Sequence, residues 1–197
     1  MGISDFFKKK TPAEQRPASA PAPPPPSSPP GAARSPGNPG ITKIEREHFL
    51  LHAPFQWIAV PGDNPHEFEF RNQTLREQLI ITVLLAREPF SASKLQPLGE
   101  DLANKRIKAL ATISNGKAVH SPLQPRTGSG QAEVRCTGYD IAHKVRFAFV
   151  VRVAPAKVVT VALTRYFLEE VGSPFDAYAE TMFDLMQVKN PGGPVGT

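Results

Sequence analysis

Residues 143–167 contain two β-rich segments, HKVRFAFVVRV and AKVVTVALTRYF, joined only by Ala154 and Pro155. A join this short forces antiparallel pairing, because a parallel partner needs a crossover of a dozen or more residues. In the first segment Val145, Phe147, Phe149, Val151 and Val153 share one face by two-residue alternation, and Lys144, Arg146 and Arg152 take the other. That second face also carries Ala148 and Val150, so part of it is expected to be wet. The preceding QAEVRCTGYD completes a three-stranded antiparallel array.

Upstream the pattern is again one of strands. EHFLLHAP is a short apolar run stopped by Pro54, and QWIAV is a second, stopped by Pro61 and Gly62. HEFEFRN alternates, with Phe68 and Phe70 on one face, and EQLIITVLLA is continuously apolar, as in a central strand covered on both sides. These four segments are expected to form a meander or hairpins. Between the two strand groups the period changes. From Ser93 to Ser114, Leu95, Leu98, Leu102, Ala103, Ile107 and Leu110 recur at three and four residues, which predicts one helix with Pro97 in its first turn. Glu100 and Asp101 near its start and Lys105, Arg106 and Lys108 in its second half suit the helix dipole and read as a solvated face. A closing helix is predicted in GSPFDAYAETMFDLMQVK, with Ser173 as N-cap, Pro174 as first helical residue and a buried stripe from Phe175 to Met186. The order strands, helix, strands, helix gives an α+β unit over residues 41–189, a largely antiparallel sheet covered by helices.

The N-terminal 40 residues cannot join that core. Eleven of the 22 prolines lie between Pro12 and Pro39, in stretches such as PAPPPPSSPP that have no apolar face to bury. Residues 11–40 are therefore expected to be a disordered, polyproline-type tether, and its thirty or so residues would reach about 90 Å fully extended. It carries MGISDFFKKK, in which Ile3, Phe6, Phe7, Lys8, Lys9 and Lys10 form a short amphipathic docking segment. Residues 190–197 read as a flexible tail.

Charge follows the same division. The net charge of +5 includes +3 from residues 1–40, so the folded unit carries only +2. That is too little for the concentrated basic field of a nucleic-acid binder. The single Cys136 excludes an internal disulfide and a cysteine-rich zinc site, and its place in EVRCTGY is that of a small buried hydrophobe. The five histidines are scattered, and no metal spacing, P-loop or nucleophile elbow is present. No cofactor or enzymatic activity is expected. The opening residues match neither a secretory signal nor a myristoylation signal, and no apolar run reaches membrane-spanning length. The cytoplasm is the expected location.

The opening strand ending in Pro54, the Trp57 strand, one amphipathic helix, three long antiparallel strands and a closing helix at SPFDAYAETMFDLM resemble the PsbP-like α/β/α sandwich. That group includes DcrB-like proteins and the Eag-type chaperones of type VI secretion effectors. The resemblance implies a non-enzymatic adaptor or chaperone whose partner is a protein, such as a secreted effector. DcrB-like members usually carry an export or lipoprotein signal, which is not expected from the opening residues here, and the long tethered N-terminus departs from the Eag type. The candidate partner contacts are the docking segment, Trp57, Arg146 and Arg152, with Trp57 read either as core or as an aromatic anchor. A flexible loop at about 114–130 is a further place where a partner could be gripped. Two alternatives stand beside this reading, a peripheral membrane protein docked by residues 1–10 and an enzyme with an unrecognised site.

Overall fold

The sheet is built around the long hairpin, whose strands pair in unbroken antiparallel register from Lys157 opposite Ala154 to Tyr166 opposite Val145. The computed structural model describes residues 41–54, 56–128, 130–166 and 174–189. The docking segment (Ile3, Phe6, Phe7, Lys8, Lys9, Lys10), the tether, Ser173 and the tail from 190 lie outside the described residues.

Thirteen elements follow in chain order: β1 (Ile41–Glu45), β2 (Phe49–Pro54), β3 (Ile58–Val60), β4 (Glu67–Asn72), β5 (Glu77–Leu85), α1 (Ala92–Ile113), β6 (Ala118–His120), β7 (Gln124–Gly128), β8 (Gln131–Asp140), β9 (Val145–Ala154), β10 (Lys157–Tyr166), α2 (Phe175–Asp184) and β11 (Met186–Val188). The main sheet has the order β3-β4-β5-β10-β9-β8-β6, with β7 pairing the other half of β8, and a second sheet has the order β1-β2-β11. Every pairing among the described residues is antiparallel. The fold is α+β, an antiparallel β structure with two helices.

The small sheet and α2 cover one face of the main sheet. Phe49, Leu51 and Met186 from the small sheet and Phe175, Met182 and Phe183 from α2 meet Leu79, Ile81, Val150 and Val161 in the principal core. On the opposite face α1 lays Leu95 and Ala103 on Val134, Cys136, Phe149, Val151 and Val153. The approach is close at Gly99, where a Cβ would stand 3.2 Å from Val134 Cγ2 and 3.4 Å from Val153 Cγ2. Helix α1 ends where Asn115 and Gly116 take φ of 51° and 74°, and the Gly116 N–H closes back on the Ala111 carbonyl at 2.7 Å.

Several expectations are corrected. The four early segments do not form one meander: β2 leaves for the small sheet, and only β3, β4 and β5 run in sequence through the main one. β5 is interior to the sheet, yet only one of its faces is fully buried; Ile80 and Thr82 are half-buried and Leu84 is 51% exposed. The closing helix stops at Asp184, so Met186 reaches the core from β11, and Pro174 sits at the cap rather than inside the helix. The 114–130 stretch holds β6 and β7 on the edge of the sheet. α1 has no acid in its first turn and no base in its last, so its charges lie too far inside to meet the dipole ends. The arginine-bearing face of β9 is not wet, since Ala148 and Val150 are within 1% of full burial beneath α2 and its neighbours.

Candidate protein-binding face

An α-helix with its side chains is about 10–12 Å across and strands lie about 4.8 Å apart, so one helix covers about two strands. α1 packs on β8, β9 and the β7 edge. On β10, Val158 and Ala162 are buried in the same cluster as α1. The same face of the sheet continues across β5, β4 and β3, none of whose described residues belongs to that cluster. β5 and β4, with the short β3 at the edge, leave the width of about one more helix.

The register sets what this face displays. One row runs Val60, Glu69, Ile80, Ala162, Phe149, and the next runs Glu67, Thr82, Thr160, Val151. Beyond the second row Leu84 pairs with Val158, and on the other side of the first row Ile58 follows Arg71, Gln78 and Thr164. Ile58 is 57% exposed, and Tyr166, 43% exposed, donates its hydroxyl proton to Gln78 Oε1 at 3.0 Å. The floor therefore mixes the aliphatic and hydroxyl side chains of β5 with the charged ones of β4, a surface able to take up a partly apolar partner segment while staying wettable without one.

Arg106 marks the boundary between the covered and uncovered halves. Its guanidinium carbon lies 5.4 Å from the Phe149 ring centroid, and its side chain is half-buried. Among the described residues it makes no hydrogen bond or ion pair. Burial lowers its pKa to about 10, with the charge of Glu67 acting against that shift. Glu67 also lacks an ion-pair partner among the described residues, whereas Glu69 is held by Arg71 at 2.7 Å. The sequence reading placed Arg106 on a solvated face. The available signal was its position three residues after the buried Ala103, which puts it at the margin of the packed stripe.

The other candidate residues sit elsewhere. Trp57 is 7% exposed in the principal core and donates Nε1–H to the Pro54 carbonyl at 3.0 Å, so the core reading of it holds in place of the exposed anchor. Arg152 is committed inward: Nε donates to Glu133 Oε2 at 2.6 Å, one terminal nitrogen to the Phe183 carbonyl at 2.6 Å and the other to the Met186 carbonyl. Arg146 stands 3.8 Å from Asp176 and over the Phe175 ring at 5.8 Å. Both arginines thus fasten α2 and β11 to the sheet rather than face outward. Through Glu133, Arg152 joins a network centred on Arg135, which donates to Glu133, Glu180 and Asp184. Burial opposes the Arg135 charge, and these three carboxylates outweigh it and raise its pKa.

An open cleft of about 540 Å³ lies between the first turns of α1 and the β7–β8 hairpin, where its acid, Glu100, accepts from Gln96 at 2.8 Å. Among the described residues no cluster of His, Cys, Asp and Glu is arranged to hold a metal, and no helix is long and apolar enough to cross a membrane. Cys136 is buried and its thiol pKa is raised by that burial, as a packing role requires.

No family model matches the chain, and no curated protein does. Among solved structures it is similar to one from Bacteroides thetaiotaomicron VPI-5482, with 13% identity and a TM-score of 0.41 over 79% of this chain and 50% of that one. It is also similar to LpqN of Mycobacterium tuberculosis, described as involved in cell envelope biogenesis, with 16% identity and a TM-score of 0.40 over 79% of this chain and 87% of that one. The chain spans half the length of the Bacteroides protein.

Proposed function

We propose that this chain is a non-enzymatic, cytoplasmic protein-binding accessory protein, an adaptor or chaperone with a PsbP-like α/β/α sandwich whose partner is a secretion-system effector. The observation that carries the reading is the half-covered sheet. An antiparallel sheet with one helix packed on β8, β9 and β10 and a mixed aliphatic and polar floor on β5 and β4 beside it has room for a second helix supplied by another protein. Residues 1–10, on their tether, serve as a second contact to the same partner, and linking two weak contacts raises avidity by about 10² or more when both can engage.

The test is affinity purification from the source cell, using the full chain, a form lacking residues 1–40, and Leu84→Glu in the full chain. The captured protein is then purified and the complex reconstituted. A one-to-one complex that protects β5 and β4 from hydrogen exchange and is weakened by both changes supports the proposal. Protection confined to other surfaces, or equal affinity for all three forms, refutes it.

A further inference from the structure

The uncovered half of the sheet has polarity as well as room. Arg106 projects from α1 with its guanidinium on the Phe149 ring and no acceptor among the described residues. The other arginines at comparable depth in this domain are spoken for: Arg135 and Arg152 each make three hydrogen bonds to carboxylates or carbonyls. A cation stacked on an aromatic face keeps its N–H edges available to an acceptor in the plane of the fork, and carboxylates match that fork in two parallel bonds. Across the floor Glu67 faces the same charge without closing an ion pair.

We propose that Arg106 receives an Asp or Glu side chain from an amphipathic helix of the partner protein, laid beside α1 over β5 and β4. The helix places its apolar residues on Ile80 and Leu84 and its acid on the flank that meets α1. Glu67 is the internal competitor: it offers Arg106 a carboxylate at a distance when the face is empty and is displaced as counter-charge when the partner's acid arrives. This inference rests on the protein-binding reading, and it adds the chemical character of the partner, an acidic-apolar helix.

The experiment selects from a displayed library of helical peptides, apolar at positions i, i+3, i+4 and i+7 and randomised elsewhere, against the purified full-length protein and its Arg106→Gln and Glu67→Gln variants. The expected result is enrichment of Asp or Glu at one flank position on the native protein. The synthesised winner should bind Arg106→Gln about tenfold or more weakly, the size of one charge-assisted hydrogen bond, and Glu67→Gln more tightly. An Asn or Gln isostere of that acid should lose the same factor on the native protein and nothing on Arg106→Gln. Selected peptides without acid enrichment, or equal affinity for Arg106→Gln, overturn this inference and leave the binding face standing. Failure to select any helical peptide, or binding indifferent to Leu84→Glu, overturns the reading beneath it as well. Circular dichroism of both variants, expected to match the native spectrum, keeps misfolding out of the comparison.

Discussion

Two arginines on opposite faces of β9 and its neighbours separate holding the fold together from presenting a charge. Arg152→Met keeps the aliphatic stem and removes the guanidinium, so the loss comes from its hydrogen bonds. Two of these go to the Phe183 and Met186 carbonyls, at the end of α2 and the start of β11, and the third goes to Glu133, which retains Arg135. Hydrogen bonds to a charged group contribute about 1.5–3 kcal/mol each. The two carbonyls together give about 3–6 kcal/mol, and the retained Glu133–Arg135 pair keeps the result near about 3–5 kcal/mol, within the range for losing one partner of a buried ionic contact. For a domain of this size that lowers Tm by about 6–20 °C. Arg106→Met removes a guanidinium that makes no hydrogen bond or ion pair among the described residues and loses its contact with Phe149 and the longer-range attraction of Glu67, so its cost should stay within about 1 kcal/mol. Urea unfolding of both variants, followed by tryptophan fluorescence from the buried Trp57, measures the difference. Equal costs, or a larger one for Arg106→Met, would show that Arg106 has an internal partner and would remove the basis for its role on the open face.

Gly138→Ala should destabilise by about 1–3 kcal/mol, because its Cβ would run into the Val119 carbonyl and approach Phe147 Cζ at 2.5 Å; faster hydrogen exchange confined to β6 and its partner residues would confirm where the strain goes. Burial raises the Glu77 pKa above its ordinary 4.5 in spite of Arg165. The folded state therefore binds the proton more tightly than the unfolded one, and the Glu77 contribution to stability declines as pH rises from about 4.5 through the raised value. The stability of Glu77→Gln minus that of the native protein should climb over this window and then level off, and a falling difference would contradict the assignment. Cys136 should react with a thiol reagent only at the rate of global or subglobal opening, with urea accelerating it; rapid labelling under native conditions would place the thiol at the surface.

What was legible in the chain were the strong local patterns. The alternation of β9, the long apolar β10 and the three-and-four spacing of α1 each fix one element and its buried face without help from the rest of the fold. The short edge pieces were not. ITKIE, AVH, QPRTG and MQV are strands because a neighbour offers its ladder, and β7 shows no burial pattern from which to infer it. MQV also continues the helical spacing of the stripe before it, so periodicity alone extended α2 past the point where β2 captures the chain. Arg146 and Arg152 were correctly placed on one face of β9, but what covers that face depends on α2 and β11, more than twenty residues away.

The candidate site was hidden for a related reason. A run such as LIITVLLA has the same letters whether helices cover both of its faces or only one, and here the distinguishing residues lie on other strands. Thr82 is ambiguous by itself. Set by register beside Thr160 and Glu67, it belongs to a polar row that crosses three strands next to the Ile80 and Ala162 row. Such a row has little reason to exist under a permanently packed helix of the same chain, where each hydroxyl would need an internal acceptor. It suits a face that water covers at some times and a partner at others. Arg106 fits the same logic: a cation without an ion-pair partner among the described residues is tolerable at the margin of a face that stays hydrated until it is occupied. The surface was therefore assembled from residues that are individually unremarkable, and only the strand order and register bring them into one place.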